Sequence, residues 1–315
     1  MIKVSNLTKR YGDKLAVRGI SFEIDNNGVV GFLGPNGAGK STTMNMITGY
    51  ISMTSGSVTV DGVDLLHDPM TVKKNIGYLP ELPPLYKDRT VTEYLNVVYG
   101  LKKCKLNREE HLNHICEEVG ILPVKDRLIS NLSKGYQQRV GIAQALVGDP
   151  KILILDEPTV GLDPSQIIEI RNLIKDLGKT RIIILSTHIL SEVQLMCERI
   201  IIISQGRIVA DDSVDNIELV GEKGTLVAEI IGNTDEVINT LEKIDGVRKV
   251  DFSENKYTIL SSGDLEVRKR IFYALAENKM PLISIYEAKQ TLESLFIELT
   301  DDTYADTYEE GGEEQ

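Results

Sequence analysis

Cysteine is scarce and unpatterned: Cys104, Cys116 and Cys197 are the only three in 315 residues, and no two form a CxxC pair. An odd, scattered set excludes a disulfide framework and points to reduced thiols in the cytosol. Basic residues are few, 35 Lys and Arg against 47 Asp and Glu, for a formal net charge of −12. Without a basic stripe to meet phosphates, no nucleic acid is expected as a partner. Seven of the acids and none of the bases fall in the last fifteen residues, DDTYADTYEEGGEEQ, so the rest of the chain is only mildly acidic. Long apolar runs are also missing. Stretches such as RIIILS fall far short of the roughly 18–20 residues that a membrane span requires. The N-terminal MIKVSNLTKRYG lacks the apolar core of a signal peptide. The chain is not expected to cross a membrane by itself.

What is present suffices for two packed domains, since the length is about twice the usual ~150-residue domain and 42% of residues are apolar. Strand-like stretches IKVSNL, ISFEID and GVVGFLG lead into a glycine-rich loop. KSTTMNMITGY then reads as a helix closed by Gly49, and SGSVTVDGVDL as a hairpin turning at Gly62. From Thr90 to about Val147 the periodicity is helical, giving an expected helical subdomain over residues 83–147. KILILD and RIIILST follow as near-continuous apolar strands of the kind buried on both faces of a parallel sheet. After the polar stretch ADDSVDNIELVGEKG the pattern restarts as βαββαβ, the order of a ferredoxin-like module. The expected organisation is an α/β core over 1–215, a small α+β domain over 222–300 closing with the helix TLESLFIEL, and a disordered acidic tail over 301–315. No internal repeat is visible.

The stretch GPNGAGKST, Gly34 to Thr42, carries the chemistry. Gly34, Gly39, Lys40 and Ser41 fit G-x-x-x-x-G-K-[ST] between a strand and a helix, with Pro35, Asn36, Gly37 and Ala38 inside the loop and Thr42 just after it. Glycines let backbone N–H groups converge on an anion, and the helix start adds partial positive charge. Lys40 then reaches the β- and γ-phosphates of ATP and the Ser41 hydroxyl ligates Mg²⁺. ILILDEP supplies Asp156 and Glu157 at a buried strand end. Neighbouring residues of an extended strand point to opposite sides, so one carboxylate is expected at the metal and the other at an attacking water. In NLSKGYQQRV, Ser133 and Gly135 open another helix toward an anion.

With that last segment the sequence resembles the ATP-binding cassette (ABC) ATPases, whose signature loop LSGGQ is followed by a Gln-Arg pair. The resemblance implies two cassettes facing head to tail, Ser133 and Gly135 of one closing on the γ-phosphate held by the other. Each motif occurs once, so a second ATPase chain, identical or related, is implied. The resemblance also implies that Tyr11 stacks on adenine, that Asp163 of GLDP reaches across the dimer, and that His188 senses the γ-phosphate beside Glu157. Taken alone, Tyr11 also has a reading as a strand-edge tyrosine, and a lone histidine such as His188 is usually structural. Three positions depart from the family pattern: Glu81 in IGYLPELPP stands where glutamine is usual, as a candidate metal and nucleotide contact, and Lys134 and Tyr136 replace signature residues. These forms, with the C-terminal unit, resemble the exporter branch in which the ATPase is a chain separate from a six-helix permease. The implied role is a peripheral ATPase on the cytoplasmic face of the membrane, powering that permease. Two other readings stay open at this point: a soluble ABC ATPase acting on nucleoprotein, and a regulatory nucleotide binder that hydrolyses weakly. Finally, Cys104, His111, His114 and Cys116 lie close in sequence, but their spacing fits no zinc pattern.

Overall fold

The computed structural model describes residues 1–219, 225–253, 255–261 and 265–287, with Phe296 and Thr300. The chain divides into two compact units, one built on Met1–Val214 and the other on Asp215–Glu298.

In the first unit, Ile2–Tyr11 (β1) and Lys14–Ile24 (β2) pair antiparallel, burying Ile2, Val4 and Leu7 on one strand and Ile20, Phe22 and Ile24 on the other. β2 begins six residues before the stretch ISFEID that its apolar alternation suggests. Gly28–Leu33 (β3) enters the glycine loop, and Lys40–Ile47 (α1) leaves it. The cap residue of α1 is Thr48 rather than Gly49, which follows it at φ 65° in the left-handed region. Ser55–Val60 (β4) and Val63–Asp64 (β5) form the expected hairpin, with Asp61 and Gly62 both at positive φ. The first sheet has the order β2-β1-β4-β5.

Next come Pro69–Lys74 (α2) and Ile76–Leu79 (β6), then three helices: Val91–Leu101 (α3), Arg108–Glu118 (α4) and Lys134–Leu146 (α5). A capping box fixes the start of α3, because Thr90 accepts from Glu93 N and the Glu93 carboxylate accepts from Thr90 N. α5 lies hard against β6: a Cβ on Gly77 would meet the Ala145 carbonyl at 2.3 Å, so no larger residue fits there. Lys102 ties the same helix end down, donating to Ala145 O (3.1 Å) and Val147 O (2.7 Å). Burial pushes its ammonium down to about 8 from an ordinary 10.5. Below pH 8 the fold carries the whole cost of burying that charge. Between about 8 and 10.5 the folded lysine is neutral while the unfolded one is still charged, so the cost shrinks as pH rises. Denaturant titrations of parent and Lys102→Met should therefore show the parent gaining up to about 3 kcal/mol relative to the variant across that window. A difference that stays flat with pH would contradict this.

Ile152–Asp156 (β7), Pro164–Gly178 (α6), Ile182–Thr187 (β8), Leu190–Met196 (α7), Arg199–Ser204 (β9) and Arg207–Ser213 (β10) complete the unit. The second sheet runs β10-β9-β3-β8-β7-β6, parallel from β9 to β6 with β10 antiparallel at the edge. Every residue of β7 and β8 is buried, as their unbroken apolar runs require. The two sheets share one core in which Phe22 and Phe32 meet at 5.9 Å between ring centroids. Register decides where chemistry can sit. Leu33 lies beside Thr187, and Asp156 beside Ser186. The residues that follow β3, β7 and β8 therefore emerge together at the carboxyl edge of the sheet, where open α/β folds bind ligands.

The stretch read as a polar connection holds the end of β10 and a short helix, Val214–Leu219 (α8). The second unit then follows as Thr225–Ile230 (β11), Thr234–Glu242 (α9), Val247–Ser253 (β12), Lys256–Ser261 (β13), Leu265–Glu277 (α10) and Leu282–Glu287 (β14). Its sheet order, β12-β13-β11-β14 and antiparallel throughout, is that of a ferredoxin-like fold. Tyr257, Ile259, Val267 and Ile271 lie in its separate core. Apart from Phe296, the expected closing helix over 291–299 lies outside the described residues, as does the tail 301–315.

Candidate active site

The loop from Gly34 to Lys40 is shaped by conformation before chemistry. Gly39 sits at φ 109°, and a Cβ there would approach the Ala16 carbonyl to 2.7 Å, so both backbone and space demand glycine. Gly39 is the N-cap of α1, and having no side chain it leaves the first-turn N–H groups uncapped and free for an anion. Lys40 is buried and donates from Nζ to Gly34 O (2.7 Å) and Pro35 O (3.2 Å). Burial lowers its pKa, opposed in turn by the carboxylates of Glu157, Asp156 and Glu81. Three acids thus favour the charged form of this lysine against its burial.

Asp156 ends β7 with Oδ1 buried and without a hydrogen-bond partner. Glu157 follows at φ 49°. The alternation of an extended strand therefore does not set its direction, a correction to the sequence reading. The chain turns left-handed there, and Glu157 N donates to Ser186 O at 2.9 Å. Glu157 Oε1 lies 2.8 Å from His188 Nδ1, so a proton on Nδ1 is donated to the carboxylate, while Oε2 is buried without a partner. Burial raises the Glu157 pKa, and the His188 hydrogen bond pulls it back in part.

Lys40, Glu157 and His188 line one open cleft of about 410 Å³, whereas Asp156 is buried behind it and is not part of the lining. Asn36, Gly37, Gly39, Lys40, Ser41 and Thr42 form its loop side, and Glu81, Glu157 and His188 face it. Tyr11, half exposed at the end of β1, closes the rim, with the Lys9 ammonium 5.1 Å from its ring centroid. Lys14, Ala16 and Val160 also line the cleft. The apolar alternation marks β2 only from Ile20 onward, which leaves Lys14 and Ala16 without a sequence signal, although Lys14 pairs directly with Tyr11 across the β1–β2 turn. Gly34, Pro35 and Ala38 belong to the loop but not to the lining.

Three further expected contacts, Ser133, Gly135 and Asp163, also stand outside the cleft. Ser133 is the exposed N-cap of α5, accepting from Tyr136 N (3.3 Å), and Gly135 is buried against the Gln166 side chain. Asp163 caps α6, its Oδ1 accepting from Ser165 Oγ (2.7 Å) and Gln166 N (2.9 Å). The Ser165 bond holds the Asp163 carboxyl below the usual carboxylate range. None of the three meets the loop within one chain.

Residues 17–160 match the family described as ABC transporter. The bacitracin transport ATP-binding protein BcrA of Bacillus licheniformis is 30% identical over 307 residues, covering 95% of this chain and 97% of that protein. The chain belongs to the ABC transporter ATP-binding proteins. The lipopolysaccharide export system ATP-binding protein LptB of Haemophilus influenzae is 34% identical over 222 residues, 69% of this chain and 92% of LptB. A solved ATP-binding cassette in a dimeric, post-hydrolysis state with ADP and Pi superposes with a TM-score of 0.61 at 25% identity, over 68% of this chain and 99% of that one.

The cassette is accordingly an ATP-hydrolysing transporter subunit that binds nucleotide. Among the described residues, no helix is long and apolar enough to cross a membrane. Mg²⁺ fits the donors at hand: a Ser41 hydroxyl in the first turn of α1 and the orphaned Oδ1 of Asp156. Mg²⁺ typically takes one or two carboxylates and fills its remaining positions with water and phosphate oxygens.

Proposed function

We propose that this cassette hydrolyses MgATP at an interface with a second cassette and so drives a separate membrane-embedded permease in export. One observation carries the reading: Lys40, Glu157 and His188 share a cleft from which Ser133, Gly135 and Asp163 of the same chain are absent. A half-open phosphate site in one chain and an unused helix start on the same chain complement each other in a head-to-tail pair. The relatives BcrA, a bacitracin transport protein, and LptB, of a lipopolysaccharide export system, support a transport partner over a nucleoprotein one. The cytoplasmic membrane face follows as the place of work.

Each residue then has a task. Tyr11 offers a flat ring to adenine, and the loop amides with Lys40 hold the phosphates. Ser41 and Asp156 would hold Mg²⁺, with Glu81 also facing the cleft, and the bound ion would supply positive charge against that developing on the phosphoryl group. Glu157 takes a proton from the attacking water, and His188 fixes the carboxylate through Oε1. Ser133 and Gly135 of the opposing chain present the start of α5 to the γ-phosphate, with Asp163 at the same interface. The loop carrying Glu81 joins the metal region to the helical block. Tilting that block when γ-phosphate is present or lost is the coupling step, and the permease docks against it.

Mixed chains test the shared site. Lys40→Ala removes the phosphate grip and Ser133→Arg fills the helix start, so each variant alone is expected to be inactive. In a mixed pair, one site combines the intact loop of the Ser133→Arg chain with the intact helix start of the Lys40→Ala chain. Mixing should restore ATP hydrolysis, read as phosphate release. A mixture as inert as its components would rule out the shared site for this chain paired with itself.

A further inference from the structure

Glu192 is 1% exposed, yet it is a carboxylate on the short helix α7, and nothing assigned to the site so far uses it. A buried carboxylate is costly unless its interactions compensate. Here Oε2 accepts from Thr187 Oγ1 (3.1 Å), while Oε1 has no partner. The Thr187 hydroxyl is used twice, since its oxygen also accepts from Ile189 N (3.1 Å). Residues 187 and 189 flank His188. The hydroxyl thus bridges the chain on both sides of the histidine, and Glu192 orients that hydroxyl by accepting its hydrogen bond. Glu192 N in turn donates to Ile189 O (3.2 Å), closing the turn from the helix side. Ile189, the N-cap of α7, provides no side-chain cap, so the turn depends on this borrowed hydroxyl.

We propose that Glu192 is a positioning residue for ATP hydrolysis: through the Thr187 hydroxyl it sets the turn that holds His188 Nδ1 against Glu157 Oε1. The inference rests on the roles given above to Glu157 and His188. Its physical basis is that a general base must be held to within a few tenths of an ångström by groups that are themselves locked. His188 has a side chain 43% exposed, so its own packing does not lock it. The buried Thr187–Glu192 pair beneath it can.

The test is steady-state ATP hydrolysis by the full chain, with nucleotide affinity measured separately using a fluorescent ATP analogue. Glu192→Ala is expected to lower kcat at least about tenfold, with KM and analogue affinity changed less than about twofold. Glu192→Gln should stay within about threefold of the parent, because its amide oxygen still accepts from Thr187. Thr187→Val should repeat the Glu192→Ala loss, and Thr187→Ser should rescue it. If Glu192→Ala does not fold, Thr187→Val carries the test, since it keeps the shape and removes only the hydroxyl. Parental kcat in Glu192→Ala or Thr187→Val overturns the proposal, and so does a Glu192→Gln loss as deep as that of alanine. His188→Ala in the same assay separates the two levels. Full activity there sinks the role of the pair itself, whereas loss there with none in the Glu192 and Thr187 variants sinks this inference alone.

Discussion

Glu157→Gln is expected to cut ATP hydrolysis by about 10²–10⁴-fold while leaving ATP bound. The substitution keeps the shape of the side chain and its oxygen toward His188 Nδ1, which lies 2.8 Å from Oε1 in the parent. It removes only basicity, since an amide does not accept the proton of water. The left-handed backbone at Glu157 is unchanged by it, and the Glu157 N to Ser186 O bond persists. Lys40 and the uncapped start of α1 remain to grip the phosphates. Hydrolysis is the step that would release the paired cassettes, so the variant should accumulate as an ATP-dependent dimer. Phosphate release in a single turnover and elution volume with and without MgATP read the two effects. Phosphate released at the parental rate would remove Glu157 as the base. Loss of binding together with turnover would show instead that the carboxylate serves the nucleotide rather than the water.

The legible parts of this molecule are those where one local rule dominates. ILILD and IIILST are apolar at nearly every position, and only a strand covered on both faces tolerates that, so β7 and β8 followed directly from the sequence. The glycine loop was equally open to reading, because a Cβ at Gly39 is excluded by the Ala16 carbonyl and by φ 109° together. The direction of Glu157 was not legible. Whether the residue after a strand stays extended or turns left-handed depends on its neighbour strand, here the Ser186 carbonyl, which is remote in sequence. Glu192 was hidden for a related reason. In SEVQ it looks like an ordinary surface acid of a short helix, and only the packing of α7 on the sheet buries it against Thr187. β2 shows the third kind of gap. Its first residues, Lys14 to Val17, carry only weak alternation, and pairing with β1 across the turn after Tyr11 makes them strand and brings Lys14 and Ala16 to the cleft.

Lys40→Ala should weaken nucleotide binding by about 10–100-fold, the usual worth of a hydrogen bond to a charged group, with little change in fold. The parent holds this ammonium ready without a nucleotide: Nζ donates to the Gly34 and Pro35 carbonyls, and surrounding carboxylates partly offset the burial that lowers its pKa. A triphosphate offers oxygens with more charge than those carbonyls, so the lysine exchanges partners at low cost. Alanine has no such group, and the phosphates are left with amides alone. The side chain contributes no apolar packing to the shared core, which is built from residues such as Ile2, Phe32, Met44 and Ile154. The structural cost is confined to two carbonyls losing a donor, on the order of 1–2 kcal/mol. Titration with a fluorescent ATP analogue and a thermal melt followed by circular dichroism read the two quantities side by side. A collapse in melting temperature with binding lost in proportion would place Lys40 in the architecture of the loop. Unchanged affinity would break the link between this cation and the phosphates, and with it the reading of the cleft as the place where ATP is held.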